Sequence, residues 1–329
     1  MSTVIMSDHH VNPTVSVITL CFNHARFVVE CLDSIHAQTH QDFELIIMDD
    51  CSSDDSVIII SDWIIRHGVH CKFIRHNINV GICKTLNEAI SLSSGDWICM
   101  IATDDRWRPN RIESHIKIAR HQSNNVAIIY SDTAQVDESG QPISKTFLEA
   151  QSPDFIPPSG RVFGSLVDRN FVHPLASTIR RKAIIEIGGY DERLATEDYD
   201  MWLRLANKYD FLYSDEVISD YRIVSTSITR TLFDKPTPSY AYGLFLLCEK
   251  WIPSGLLSAK QQCNWSLNQA TAAYWLYFHT DPRASRCLWK VALRTRQIRF
   301  FLLATSSSLG ITRRHAKKIS TTLGLLGKK

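Results

Sequence analysis

The stretch VSVITLCFNHARFVVECLDSIHAQTHQDFELIIMDD, residues 15–50, decides the fold. Its first six residues, VSVITL, are a β-branched apolar run after Pro13 and read as a buried strand. Residues 26–38 then place Phe27, Val28, Cys31, Leu32 and Ile35 at helical spacing. FELIIM at 43–48 is a second strand, and it ends in Asp49-Asp50. Strand, helix and strand within 36 residues make a βαβ unit.

The alternation continues outward. Residues 53–66 predict a helix with a Ser/Asp-rich start suited to capping. A strand is expected at 71–75, a helix at 81–91, a strand at 96–102, and a helix starting near Pro109. The expectation is an α/β fold: a mainly parallel central sheet, Rossmann-like, with helices on both faces. Beyond it the order loosens. VAIIYS at 126–131 is a strand, 137–140 a hairpin-like turn, and the Pro-rich 150–160 a loop. A strand at 175–180, a helix at 181–187 ending at Gly188-Gly189, a helix at 198–208 and a strand at 220–224 follow. From about Pro238 the pattern is helical. The expected organisation is a flexible 1–12, an α/β domain over 13–235 with halves 13–105 and 106–235, and a basic helical region over 236–329.

Composition bounds the function. The chain has 329 residues, 44% hydrophobic and 21% charged, which excludes disorder, collagen-like repeats and a supercharged nucleic-acid binder. Nine scattered cysteines form no CxxC pair, so reduced thiols and a cytoplasmic location are expected rather than a zinc site. Residues 1–12 are polar and do not read as a signal peptide, and no apolar run reaches transmembrane length. The net charge of +2 conceals an asymmetry: residues 282–329 carry 12 Lys/Arg and no acid, leaving 24 basic and 34 acidic groups in the rest.

In open α/β sheets ligands bind beyond the carboxyl ends of the strands. Two acidic pairs fall there, Asp49-Asp50 and Asp104-Asp105. Acids this close repel unless they share a cation, and hard Mg2+ or Mn2+ suits carboxylates and phosphates. The competing reading is that they cap the helices that follow. The first turn has no G-x-G-x-x-G and no Walker A sequence occurs, so a nucleotide would be held by a cation and basic side chains.

Read together, 15–50, NVGICKTLNEAI, SSGDWICMIATDDRWRPNRI, GGYDERLATEDYDMWLRLA and DYRIVSTSIT resemble family 2 glycosyltransferases, which have the GT-A fold. The resemblance covers residues 14–230 and implies an inverting transferase using a UDP- or TDP-sugar. It places Asp50 on the nucleobase, where an acceptor-only carboxylate suits the N3–H of uracil or thymine. It sets Phe22, with Asn23, in the donor turn; Phe22 either lies against the base or is an ordinary core aromatic. It makes Asp105 a metal ligand and Asp104 a ribose or metal contact, around Mn2+ or Mg2+ as cofactor. The commoner Asp-x-Asp-Asp form is absent, because Ala102 stands first. Lys84 either contacts the diphosphate or is solvated on its helix. Glu197-Asp198 matches the acceptor-site motif, with Asp198 as base and Glu197 beside it as support; the alternative for Asp198 is a helix cap. His173 is an acceptor-loop group or a structural histidine. Tyr221-Arg222 matches a family Tyr-Arg pair that points Arg222 at phosphate, but the histidine that often follows is missing.

The implied function is sugar transfer to a glycan or lipid-linked glycan in bacterial surface-polysaccharide assembly. The alternative is a non-catalytic sugar-nucleotide-binding or scaffold protein. The basic region 282–329 interleaves arginines with Leu, Trp, Val and Phe, a pattern that suits an anionic membrane surface, a solvated face or pairing with the acidic body. No nucleic-acid-reading motif accompanies it, and no nucleic-acid partner is expected. A peripheral position on the cytoplasmic face of the inner membrane would follow.

Overall fold

The computed structural model describes residues 14–194, 198–224 and 237–310. The chain divides into two compact units, the first holding residues 14–192 and 198–224 and the second residues 237–310.

The first unit is a nine-stranded sheet. Its opening half follows the sequence closely: β1 (Val15–Cys21), α1 (Val28–His36), β2 (Phe43–Asp49), α2 (Ser56–His67), β3 (Cys71–Arg75), α3 (Ile82–Leu92) and β4 (Trp97–Ala102). β2 and β4 flank β1, β3 lies outside β2, and all pair in parallel. These strands are apolar on both faces because helices cover both, as parallel sheets require. The core gathers Val15, Val17, Leu45, Ile47, Trp97, Cys99 and Ile101 from the strands with Val28, Leu32, Ile35, Ile60 and Trp63 from the helices.

The second half departs from a parallel design. After β5 (Arg106–Trp107) and α4 (Arg111–Ala119) come β6 (Val126–Val136), β7 (Pro142–Thr146), α5 (Phe147–Gln151), α6 (Phe163–Asp168), β8 (Ser177–Arg180), α7 (Arg181–Glu186), α8 (Asp198–Lys208) and β9 (Asp210–Arg222). The order is β3-β2-β1-β4-β8-β6-β9-β5, with β7 on β6. β8 runs antiparallel to both β4 and β6, so the sheet is mixed. β9 is 13 residues long, although only its end, near 220–224, was legible. Its charged interior (Asp215, Glu216) masks the apolar pattern, and its pairing with β6 is irregular.

β4, β6 and β9 point the same way, so their carboxyl ends share one edge. The β8 register Cys99↔Thr178 puts the chain before Ser177, including His173, toward that edge. α8 leads through Tyr209 into β9, which sends its first residue, Asp198, toward the same edge.

The second unit is helical: α9 (Pro238–Trp251), α10 (Ala259–Phe278), α11 (Ala284–Thr295) and α12 (Ile298–Ser308). Its core comprises Phe245, Ala273, Leu276, Leu288, Val291, Phe300 and Leu303. Thr237 and Ser258 cap α9 and α10. Among the described residues no helix is long and apolar enough to cross a membrane, and all nine cysteines are free thiols.

Candidate active site

The first loop, between β1 and α1, is stitched to the second, between β2 and α2. Asn23 has a φ of 58°, a left-handed conformation that asparagine tolerates better than most residues. Its N–H donates to Ser52 Oγ at 2.9 Å, and its Oδ1 accepts from the Ser53 N–H at 2.8 Å. The His24 N–H donates to Ser56 Oγ at 3.0 Å and the Ala25 N–H to Asp54 Oδ2 at 3.0 Å. With the loop fixed by its backbone, Phe22 stands 41% exposed beyond β1. The core-aromatic alternative for Phe22 therefore does not hold.

Asp49 and Asp50 divide their work. Asp49 is fully buried and its Oδ1 accepts from the Ser52 N–H at 3.0 Å. Asp50 reaches across to the entrance of α3. Its Oδ1 accepts from the Val80 N–H and its Oδ2 from the Gly81 N–H, each at 2.9 Å. Gly81 has a φ of 88°, which favours glycine. The Asn79 side chain donates to the Asp50 carbonyl at 3.1 Å. His76, just past β3, bridges Asp50 Oδ1 at 2.8 Å and Glu88 Oε2 at 3.0 Å. Burial opposes charge on His76, but the two carboxylates outweigh it and raise the imidazole above its ordinary value. Asp50 thus already accepts three protein hydrogen bonds, which tie it to the approach to α3 rather than to α2, the helix that follows it, and it keeps spare acceptor capacity on Oδ2. Lys84 is exposed in the first turn of α3.

The loop after β4 begins with the Thr103 N–H on the Leu20 carbonyl at 2.9 Å. Asp104 and Asp105 follow. Asp105 is buried, and its Oδ1 accepts the main-chain N–H of Arg222 at 2.8 Å. Burial first, and then the charge of Asp104, push the Asp105 carboxyl well above the usual carboxylate range. His24 lies alongside, with Nδ1 2.9 Å from Thr103 Oγ1 and 3.8 Å from Asp104 Oδ1.

The expectation that Arg222 reaches phosphate is corrected by its surroundings. Its side chain is buried, with Nε on the Asp104 carbonyl at 2.8 Å, Nη1 on the carbonyls of Asp137 and Glu138, and Nη2 on Glu30. A guanidinium spent in this way positions the Asp104-Asp105 loop. Glu30 also takes Arg106, whose Nε bonds Asp220 at 2.7 Å. Glu30, Arg106, His24 and His76 were missed in the sequence. The two histidines were findable, since each follows a strand's carboxyl end.

Asp198 opens α8, its Oδ1 accepting the Tyr199 N–H at 2.6 Å. Burial raises its pKa, partly offset by that bond and by the Asn170 side chain. The helix is anchored through Asp200, which holds Arg204 Nε at 2.7 Å, while Arg204 Nη1 reaches the Ile187 carbonyl at 2.9 Å. Glu197 lies outside the described residues. His173 takes its structural alternative. Burial depresses it to about 4, its Nδ1 accepts the Leu175 N–H at 3.3 Å, and its ring packs between Phe147 and Tyr221.

A divalent cation suits the donor chemistry here. Two adjacent carboxylates, one buried and electrostatically strained, gain from a shared positive charge. Among the described residues no group of three His, Cys, Asp or Glu is placed to hold a metal ion by itself. Of the described residues, Asp104 and Asp105 are the pair that could hold such a cation, with further oxygen ligands drawn from substrate and water.

Residues 16–188, more than half of the chain, match the profile of glycosyl transferase family 2. The chain is 28% identical over 216 residues to an uncharacterized glycosyltransferase of Rickettsia felis, covering 65% of this chain and 35% of that protein. It is 25% identical over 219 residues to the putative teichuronic acid biosynthesis glycosyltransferase TuaG of Bacillus subtilis, covering 66% of this chain and 82% of that one. The chain spans about a third of the length of the first curated relatives it matches. Two solved structures share the fold. S. aureus TarS 1-349 in complex with UDP-GlcNAc superposes with a TM-score of 0.59 at 15% identity, over 91% of this chain and 88% of that one. The mannosyltransferase PcManGT of Pyrobaculum calidifontis, in complex with GDP-Man and Mn2+, does so at 0.57 and 16%, over 96% and 86%. The mixed sheet, its helices and the C-terminal helical extension follow the GT-A-like arrangement of these structures. With the family profile running from β1 past α7, the chain belongs to glycosyl transferase family 2.

Proposed function

We propose that the protein is a metal-dependent inverting glycosyltransferase that moves a sugar from a UDP- or TDP-sugar to a glycan or lipid-linked glycan. Family membership supports sugar transfer. The observation that carries the finer reading is the Asp104-Asp105 pair at the carboxyl edge of the sheet, toward which α8 also directs Asp198. Of the two structural neighbours, one is in complex with UDP-GlcNAc and the other with GDP-Man and Mn2+. The relative TuaG is named for teichuronic acid biosynthesis, which supports a surface polysaccharide as the product.

In this reading Phe22 lies on the base and Asn23 holds the loop that presents it. The spare Oδ2 capacity of Asp50 accepts the base N3–H, and Lys84 contributes positive charge near the diphosphate. Asp104 and Asp105 hold Mn2+ or Mg2+, and the bound cation supplies Lewis-acid stabilisation of the departing nucleotide. Asp198 removes the acceptor hydroxyl's proton, its raised pKa suiting a base that works toward neutral pH. Glu197 keeps its supporting role as a proposal.

The test is a calorimetric screen of UDP-, TDP- and GDP-sugars with and without Mn2+, run on the wild type and on Asp105→Asn. Mn2+-dependent binding of a UDP- or TDP-sugar, weakened at least tenfold in Asp105→Asn, is expected. Preference for a GDP-sugar would overturn the role of Asp50, and metal-independent binding would overturn that of Asp105.

A further inference from the structure

α11 and α12 form an antiparallel pair whose buried faces are accounted for. Cys287, Leu288, Val291 and Ala292 of α11, with Phe300, Leu303 and Ala304 of α12, fill the core of the helical unit. The opposite faces should then be polar, as on an ordinary surface helix. They are not. Leu293 is 66% exposed and Ile298 76% exposed, and Trp289, Leu302 and Leu309 are exposed as well. In α11, Trp289 and Leu293 are four residues apart; Ile298 and Leu302 of α12 and Leu309 at its C-cap recur at helical spacing. Trp289 packs edge-on against Phe301, with ring centroids 5.9 Å apart, and its Nε1 reaches Ser308 Oγ at 3.2 Å. The two outer faces therefore join into one apolar surface.

The charge on this pair is of one sign. The six basic side chains from 283 to 299 have no acidic neighbour in that stretch. Three are engaged inside the unit: Arg283 with Asp281, Lys290 with Glu249, and Arg294 with Gln269. Arg286, Arg296 and Arg299 are exposed, with no carboxylate partner among the described residues. Arg286 lies on the Trp289–Leu293 side of α11, and Arg296 and Arg299 flank Ile298. Beyond the pair, the sequence adds Arg313, Arg314, Lys317, Lys318, Lys328 and Lys329, again without an acid.

We infer that the outer face of α11 and α12 is a docking surface for an anionic lipid bilayer, with Trp289, Leu293, Ile298 and Leu302 entering the interface and Arg286, Arg296 and Arg299 meeting lipid phosphates. An apolar stripe flanked by exposed arginines is the chemistry that such an interface selects. A second copy docked face to face would set these arginines against themselves, and the sequence supplies no acids here to relieve that. This deepens the lipid-linked reading of the acceptor, yet it rests on observations independent of the catalytic residues.

The full chain is floated with vesicles of phosphatidylcholine alone and of phosphatidylcholine mixed with phosphatidylglycerol, at low and high salt. Salt-sensitive binding to the mixed vesicles only is expected. Leu293→Asp with Leu302→Asp, and separately Arg286→Glu with Arg299→Glu, should each weaken it by at least about tenfold. All four positions are exposed, so UDP-sugar affinity and melting temperature should stay at wild-type values. Because nucleotide binding is read in parallel, loss of donor binding would count against the catalytic proposal and leave the surface untouched. The inference is overturned if the wild type ignores anionic vesicles or if both double variants bind like the wild type. It is equally overturned if sedimentation shows a dimer that Leu293→Asp dissolves while vesicle binding persists.

Discussion

The main-chain N–H of Arg222 and the carboxylate of Asp105 meet at 2.8 Å, across 117 residues of sequence. One residue thus does two things. Its backbone orients the Asp105 carboxylate, and its guanidinium ties the Asp104 carbonyl, the 137–138 turn and Glu30 into one block. A lysine retains the charge but not the planar fork that serves several acceptors at once. Arg222→Lys should therefore lower stability by about 1–3 kcal/mol in urea unfolding. It should also weaken Mn2+ affinity while a nucleoside, which lacks phosphate, binds unchanged. An effect confined to diphosphate affinity, with stability intact, would return Arg222 to phosphate binding.

Asp198 tests the chemistry. Asp198→Asn preserves the helix start, since its side-chain carbonyl still accepts the Tyr199 N–H. Folding and donor binding should persist while transfer falls by about two orders of magnitude or more. Turnover within tenfold of wild type would rule Asp198 out as the base. In the wild type, the acidic limb of the kcat profile should lie above the ordinary aspartate range, because burial raises this carboxyl.

His76 gives the loop around Asp50 a pH dependence. Its folded-state pKa is raised above 6.5, so the protonated form is favoured by folding. The stability this contributes is complete below the unfolded value and is lost as pH rises through the folded one. The wild type should therefore lose stability above neutral pH relative to His76→Gln, as followed by thermal melts between mildly acidic and mildly alkaline pH. Parallel curves for the two proteins would show that the Asp50–His76–Glu88 bridge carries no net stabilisation.

Glu44 supplies the opposite case, away from the carboxyl edge. Burial alone would raise it, but Lys72, Ser16 and Ser94 together hold it down at about 2. Its stabilisation is present above the unfolded value and is lost as pH falls through the range between them. With partial solvent access taken into account, this is on the order of 2 kcal/mol. Glu44→Gln should flatten the acid limb of the stability profile without altering nucleotide affinity. Acid unfolding identical to that of the wild type would remove Glu44 from the account.

The helical second unit obeys the same local rules as the sheet. Thr237 and Ser258 accept their cap bonds, and the buried stripes of α11 and α12 match the helical period. Charge did not read as simply. Of the basic side chains from 283 to 299, three are held by partners within the unit, so the bare count overstated the positive surface.

The sequence by itself determined the β1–β4 half of the sheet, the carboxyl edge as the place for acids, and the family. These are written in short-range periodicity and in which residues end a strand, and both survive without knowledge of the partners. Tertiary structure alone decided the rest. It turned β8 antiparallel and extended β9 back to Asp210 behind a charged interior. It exposed Phe22, tied Asp50 to the approach to α3 while leaving it a ligand candidate, and buried Arg222 against Asp104 and Glu30. The physical reason is that a side chain's role depends on which charges and donors surround it. Those neighbours come from separate segments, 26 to 31 residues away for Asp50 and 118 to 192 for the Asp104 and Glu30 partners of Arg222, so no local pattern records them.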